Sequence, residues 1–263
     1  MNKYIYRIIL VFLSSAYSSC LTADAQVQAL ANQSANRILF IGNSYLYYND
    51  SLHNHVRRMA EEKFPERADL FIYKSSTIGG SRLSHHNLDH LLDSKNIGVK
   101  QNFELVILQG GSSESLSEDS RQDFYGQVAE QTKKIRARGG EAALYMTHAY
   151  VKPHKAYFPD MINEIEDAYL KVGNDNKVLV IPVGLAFERA YQQKTGIKLH
   201  KDFDGSHPSF LGTYLASCVV FASIFKTSPV GLHYSYFDAI SDKEKAFLQR
   251  VAEETVAEFY GYD

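Results

Sequence analysis

The sequence predicts an α/β fold built on a parallel sheet with helices on both faces. Five short apolar runs have the length and composition of buried strands, at residues 38–41, 70–73, 105–108, 142–146 and 178–183. Amphipathic helical patterns alternate with them, at residues 52–64, 122–138, 161–172, 210–225 and 246–259. Strands that alternate with helices at this spacing are typical of a parallel sheet covered on both sides.

The last two helical segments are the most clearly marked. Ser241 and Glu244 precede the final one with the spacing of a capping box, in which each side chain bonds the other residue's backbone N–H. In segment 210–225 the apolar residues recur at helical spacing, and Cys218 falls among them. A packed core thiol is therefore favoured over a nucleophilic cysteine.

Residues 1–25 have the composition of a secretory signal peptide. Lys3 and Arg7 precede a short apolar run at residues 8–13, and Ala23 and Ala25 form an A-x-A cleavage site. This pattern predicts an exported protein, periplasmic or extracellular, with a mature domain of residues 26–263. Lipidation at Cys20 is the alternative, although Tyr17 stands where a lipidation motif has an aliphatic residue.

Charge and hydropathy exclude two classes of partner. The formal net charge is −2, and basic residues are interspersed with acidic ones. No basic stripe suits nucleic acid, and no polybasic patch suits a membrane surface. After residue 25 no apolar run approaches the length of a membrane span, so stable membrane insertion is not expected. The sequence does not predict an oligomeric state.

Two short segments carry the residues of a serine hydrolase. Ser44 directly follows the first predicted strand, behind Gly42 and Asn43, at the sheet edge where ligands of such folds bind. Asp204 and His207 stand three residues apart before a predicted helix. A serine hydroxyl needs a base to take its proton, and a carboxylate orients that base. In the alternative interpretation, Ser44 belongs to an ordinary turn, Asp204 caps the helix and His207 is a surface residue.

These segments resemble the block pattern of the SGNH hydrolase superfamily, the GDSL-like esterases and lipases. The blocks occur in order: Gly42-Asn43-Ser44 for the usual Gly-Asp-Ser, Ile78-Gly79-Gly80-Ser81, a block after residues 105–108, and Asp204-x-x-His207. The resemblance implies a flavodoxin-like, three-layer α/β/α sandwich with a five-stranded parallel sheet. It also implies Ser44 as nucleophile, His207 as general base and acid, and Asp204 as its orienting partner.

The resemblance further implies an oxyanion hole, to which the Ser44 backbone N–H would contribute. From the glycine block Gly80 is favoured, with Gly79 as the alternative. The third block has no asparagine, the residue usual there, so Gln109 is favoured as a side-chain donor, with Ser112 as the alternative. One such donor is worth about 2.7–4 kcal/mol of activation free energy.

No cofactor or catalytic metal is expected. His53 with His55 and His86 with His90 have the spacing of paired ligands, but neither pair has a third ligand at motif spacing. The Gly-x-Ser-x-Gly motif of the α/β-hydrolases and the glycine-rich phosphate loops of nucleotide-binding folds are absent from the sequence.

The sequence therefore predicts a secreted serine esterase that removes short acyl groups, O-acetyl above all, from carbohydrates. Tyr45, Tyr47 and Tyr48 follow the nucleophile, where their rings would restrict acyl length and stack on sugars. In the alternative placement these tyrosines point into the core. Two other functions stay open: a lipase or aryl esterase of the same fold, and a noncatalytic carbohydrate-binding protein with a degenerate site.

Overall fold

A computed structural model describes residues 26–262 of the chain. The predicted signal peptide and Cys20 lie outside the described residues. The sheet has five parallel strands in the order β2-β1-β3-β4-β5. The strands are β1 (Arg37–Gly42), β2 (Ile72–Thr77), β3 (Leu105–Leu108), β4 (Glu141–Tyr145) and β5 (Leu179–Ile181).

The helices of residues 26–262 occupy both faces of this sheet. They are α1 (Ser44–Tyr47), α2 (Leu52–Lys63), α3 (Leu88–Leu92), α4 (Glu118–Ala137), α5 (Met161–Asn176), α6 (Val183–Gln193), α7 (Phe210–Phe225) and α8 (Asp242–Tyr260). Short 3₁₀ turns occur at Pro65–Leu70, Leu83–His85 and Ser94–Ile97. Within residues 26–262, no helix is both long and apolar enough to span a membrane.

Alternation along each strand divides the core into two layers. Ile38 and Phe40 of β1 pack with α2, α6, α7 and α8, whereas Leu39 and Ile41 pack with α3, α4 and α5. The expected three-layer α/β/α sandwich is thus confirmed, and the strand order is the flavodoxin-like one. Helix α7 lies at the centre of the first layer, and Cys218 on it is buried as a free thiol.

Several element boundaries differ from the sequence-based prediction. Strand β2 begins two residues later and runs on through polar residues, because it is an edge strand with one side unpaired. The strand predicted at 178–183 ends at Ile181, and α6 begins at Val183. Helix α8 begins at Asp242, and its predicted capping box between Ser241 and Glu244 is present.

Candidate active site

Ser44 lies at the carboxyl end of β1, as the first residue of the short helix α1. The turn needs glycine at position 42, because a Cβ there would lie 2.4 Å from the Gln109 side-chain oxygen. Asn43 caps the helix in extended conformation, and its side-chain oxygen accepts the N–H of Tyr45 at 3.1 Å. The turn therefore holds the Ser44 side chain at the edge of the sheet where ligands of such folds bind.

The Asn43 side chain also ties this turn to the glycine block. Its Nδ2 donates to the Ser81 carbonyl at 3.0 Å, and the Ser81 hydroxyl donates to the Gly42 carbonyl at 3.1 Å. Asn43 is only 3% exposed, so water does not replace a lost partner. An aspartate, the usual residue of the resembling family, would keep the acceptor and lose the donor.

Asn43→Asp is therefore expected to destabilise the fold by about 1–3 kcal/mol, because a carboxylate oxygen would face the Ser81 carbonyl. Thermal and denaturant unfolding of the purified variant measure this loss. Asn96→Asp is the matched control, since its exposed amide also donates to a backbone carbonyl, that of His90, at 2.9 Å. Equal stability of Asn43→Asp and wild type would contradict the assigned donor.

The structure brings Ser44 together with Asp204 and His207, which lie 160 residues or more further along the sequence. His207 Nε2 lies 2.9 Å from Ser44 Oγ. The other ring nitrogen, Nδ1, is hydrogen-bonded to Asp204 Oδ2. Because a carboxylate only accepts, the proton of a neutral imidazole is assigned to Nδ1, and Nε2 accepts from the Ser44 hydroxyl. This is the hydrogen-bond order of a serine hydrolase triad.

Backbone hydrogen bonds hold the Asp204 carboxylate in this orientation. Its Oδ1 accepts the N–H groups of Ser206 at 2.9 Å and His207 at 3.0 Å, which leaves Oδ2 for the imidazole. Burial raises the pKa of the Asp204 carboxyl, but these N–H groups and the His207 side chain lower it by more. The net pKa lies below the ordinary value, so Asp204 remains charged wherever an unperturbed aspartate would be.

A cleft of about 450 Å³ opens above Ser44. Most of its lining comes from segments that follow strand ends: the nucleophile turn, the glycine block and the third block. The rest comes from residues 201–207, here called the histidine loop. The lining residues are Asn43, Ser44, Tyr45, Tyr47, Tyr48, Gly79, Gly80, Arg82, Gly111, Ser112, Ser113, Ser206 and His207. A cavity of similar volume, about 490 Å³, lies between α5, α6 and α8, and its lining includes no serine, cysteine or histidine. The hydroxyl–imidazole pair therefore identifies the first cleft as the candidate site.

Among the backbone N–H groups at the cleft that have no hydrogen-bond acceptor in residues 26–262 are those of Ser44, Gly79 and Gly80. Gly80 has a φ of +66°, so the turn that aims its N–H favours glycine. From the third block, Ser112 lines the cleft, and its oxygen accepts the Tyr150 hydroxyl at 3.0 Å. The Ser112 proton is thereby left to donate elsewhere.

Gln109 takes a different place from the one expected of an oxyanion donor. Its side chain is fully buried beneath the nucleophile turn, where Oε1 accepts the Asn43 N–H at 2.9 Å and Nε2 donates to the Gly110 carbonyl. It does not line the cleft, so its position is contrary to the sequence-based expectation. The backbone N–H of Asn43 needs an acceptor inside the protein, and the Gln109 amide supplies it.

The three tyrosines after Ser44 divide between the core and the cleft. Tyr45 is buried, whereas Tyr47 is 40% exposed and stacks on Tyr48 with ring centroids 5.6 Å apart. The Tyr48 ring stacks in turn on His207 at 4.4 Å. Two rings therefore restrict the cleft beside the nucleophile, and the alternative placement in the core applies to Tyr45 alone.

One histidine of each pair with ligand spacing is used in hydrogen bonds. His55 bonds the Asn49 carbonyl at 2.7 Å and the Tyr234 hydroxyl at 3.0 Å. His86 bonds the Ser81 hydroxyl at 3.0 Å, beneath the glycine block. Both of these rings, His55 and His86, are buried. Between residues 26 and 262, no three His, Cys, Asp or Glu side chains are grouped as metal ligands.

Sequence reasoning missed Glu114, Ser206 and His148 at this site. Glu114 is buried and accepts the Gly111 N–H, which removes that N–H from the set of oxyanion donors. Ser206 stands between Asp204 and His207, and its carbonyl lies 2.8 Å from His148 Nε2. Only the position of His148 just past the fourth predicted strand could have indicated its nearness to the site.

Solved structures of other proteins share this architecture. A DUF4886 family protein from Bacteroides uniformis matches with a TM-score of 0.64 at 20% identity, over 86% of this chain and 95% of that one. A candidate SGNH hydrolase from Slackia heliotrinireducens matches at 0.57 and 22% identity, over 72% and 99%. A catalytic mutant of an acetylxylan esterase from Geobacillus stearothermophilus matches at 0.56 and 13% identity, over 72% and 94%.

No protein-family model and no curated protein sequence matches the chain. The likeness to solved structures, at 22% identity or less in these three, is one of fold. Sheet order, strand direction and structural neighbours agree with the resemblance seen in the sequence blocks. The chain has the fold of the SGNH hydrolases.

Proposed function

We propose that this protein is a serine esterase of the SGNH superfamily that hydrolyses short acyl esters, O-acetyl groups on carbohydrates above all. The observation that carries the proposal is the hydrogen-bonded series from Ser44 Oγ through His207 to Asp204. The acetylxylan esterase among the structural neighbours supports the choice of an acetylated glycan as substrate. Export by the N-terminal segment, without a lipid anchor, is part of the proposal and would give access to such glycans.

In the proposed reaction, Ser44 Oγ attacks the ester carbonyl while His207 Nε2 takes its proton. The negative charge then develops on the carbonyl oxygen, within reach of the backbone N–H groups of Ser44 and Gly80. Ser112 is one of two serines of the third block that line the cleft, with Ser113, and it replaces Gln109 as the proposed side-chain donor. Collapse of the intermediate releases the alcohol, which receives the proton from His207.

Water completes the cycle by the same groups in reverse order. His207 takes a proton from water as the water attacks the acyl-serine, and acetate leaves as Ser44 regains its proton. Asp204 keeps its charge throughout and stabilises the imidazolium formed in each half-reaction. No step needs a metal or an organic cofactor, because the nucleophile, base and donors are all protein groups.

The shape of the cleft supports a short acyl group. Tyr47 and Tyr48 line it beside Ser44, and the neighbouring lining includes the polar side chains of Asn43, Ser112 and Arg82. A long acyl chain would have to displace the stacked rings or lie against polar groups without burying apolar surface. Sugar hydroxyls suit these groups, and tyrosine rings can stack on a pyranose.

Activity is therefore expected to fall with acyl length. kcat/KM for 4-nitrophenyl acetate should exceed that for the octanoate by about tenfold or more. Release of acetate from acetylated oligosaccharides, measured beside this series, tests the carbohydrate part. A maximum at eight carbons or more would favour the lipase or aryl esterase. Sugar binding without any hydrolysis would favour the noncatalytic protein.

A further inference from the structure

Ser206 lies between Asp204 and His207 in the sequence, and the side chains of Tyr45 and His148 are within hydrogen-bonding distance of it. The Tyr45 hydroxyl is 2.9 Å from Ser206 Oγ. His148 Nε2 is 2.8 Å from the Ser206 carbonyl oxygen. The side chain and the backbone of one residue are thus held by two different elements of the fold.

Both holding groups are rigid parts of the core. Tyr45 is 2% exposed and His148 is fully buried. Their rings stack with centroids 4.2 Å apart, and His148 stacks on Phe187 of α6 at 4.4 Å with an interplanar angle of 4°. This three-ring stack, Tyr45–His148–Phe187, leaves the two hydrogen-bonding groups little freedom to move.

Burial keeps His148 and Tyr45 each in its uncharged form, which suits a structural rather than a proton-transfer role. Burial lowers the pKa of His148 well below its ordinary value, with the neighbouring His200 acting in the same direction. The His148 ring is therefore neutral. Because the Ser206 carbonyl can only accept a hydrogen bond, the one ring proton is assigned to Nε2, which donates to it. Burial also raises the pKa of Tyr45, so its phenol stays protonated.

The histidine loop, residues 201–207, has other constraints besides these two: the His207 carbonyl accepts the Lys201 N–H at 2.8 Å, and the His207 ring stacks on Tyr48. Residues 201–207 belong to no helix or strand. The Gly205 carbonyl accepts the Val151 N–H at 2.8 Å. Tyr45, by contrast, directly follows the nucleophile in sequence. Its hydroxyl is thus a short connection between the turn that carries Ser44 and the loop that carries His207.

We propose that Tyr45 and His148 are positioning residues that fix Ser206 and thereby set His207 and Asp204 in register with Ser44. The role rests on the proposed function, since its consequence is a rate. A displacement of about 1 Å at a catalytic group can cost about a hundredfold in rate, so a small loosening of this loop is measurable. Neither residue touches the reacting atoms in this role.

A double-mutant cycle on Tyr45 and Ser206 tests the connection. Tyr45→Phe and Ser206→Ala are each expected to lower kcat by about tenfold, with KM within about twofold of wild type. The double variant should be no slower than the slower single one, because both changes remove the same bond. Additive losses, or wild-type kcat in either single variant, would overturn the proposal.

Tyr260→Phe is the matched control for loss of a buried tyrosine hydroxyl. Tyr260 is 1% exposed, and its hydroxyl donates to the Val180 carbonyl at 2.8 Å, away from the cleft. It should lose thermal stability as Tyr45→Phe does and keep wild-type kcat. An equal fall in kcat in Tyr260→Phe would show that stability alone accounts for the Tyr45 result.

The second arm concerns His148 and a measurement that needs no substrate. His148→Phe keeps a stacked ring, loses the donor and should lower kcat by about tenfold. In this variant and in Tyr45→Phe, the amide hydrogens of Ser206 and His207 should exchange with solvent faster than in Tyr260→Phe. Unchanged exchange would overturn the positioning role. If wild type hydrolyses no ester, the proposed function fails, while exchange still decides whether the loop is held.

Discussion

Replacing Ser44 by alanine is expected to reduce kcat for ester hydrolysis by about a millionfold while the protein stays folded. Ser44 Oγ is the only hydroxyl within hydrogen-bonding distance of His207 Nε2 in residues 26–262. Without it the imidazole has no nucleophile to activate. The measurement is turnover of 4-nitrophenyl acetate by purified protein, alongside thermal unfolding followed by circular dichroism.

The fold should survive this change because the Ser44 hydroxyl makes no contact that holds the turn. The turn depends instead on Asn43 and Gln109, which the substitution leaves in place. Ser217→Ala is a suitable control, since it removes another buried hydroxyl, on α7, that donates only to the Thr213 carbonyl at 2.7 Å. Wild-type turnover in Ser44→Ala would refute the proposed mechanism.

The sheet was largely predictable from sequence because its central strands are buried on both faces. The apolar run 105–108 coincides with β3, and the run 38–41 lies within β1. The edge strand β2 was predicted too early, because an edge strand can continue through polar residues such as Lys74. In such a strand, pairing with one neighbour decides the boundary and composition does not.

Helix starts follow capping residues more closely than hydrophobic periodicity. Helix α4 begins at Glu118 because the Ser117 side chain caps it, four residues before the start that the apolar pattern predicted. Helix α8 begins directly after Ser241 for the same reason. Apolar periodicity reports the buried face, whereas the first turn of a helix is commonly polar and exposed.

The proposed triad was visible in sequence because two of its members are local neighbours. Asp204 and His207 meet across three residues, and Ser44 follows a recognisable strand. The residues that hold the site in place, Gln109 and His148, could not be identified in this way. Gln109 and His148 act through backbone groups far along the chain, at Asn43 and Ser206, and any polar residue at a strand end has such options. Only the packed structure selects among them.

Asp204→Asn is expected to lower kcat by about ten-thousandfold through the tautomer of His207. Oδ1 of residue 204 accepts two backbone N–H groups, from Ser206 and His207. An asparagine oxygen would keep those two bonds, so its NH₂ group would replace Oδ2 opposite His207 Nδ1. Nδ1 would then accept, and the imidazole proton would move to Nε2.

An imidazole protonated at Nε2 points its N–H at Ser44 Oγ and cannot take the serine proton, so attack slows although the geometry is kept. Turnover and unfolding of Asp204→Asn measure the two effects separately. Asp202→Asn is the control, because Asp202 lies two residues away, with its side chain 73% exposed and paired with Lys198. A loss below about tenfold in Asp204→Asn, with turnover still dependent on Ser44, would mean that Ser44 and His207 work as a dyad and that Asp204 does not set the tautomer.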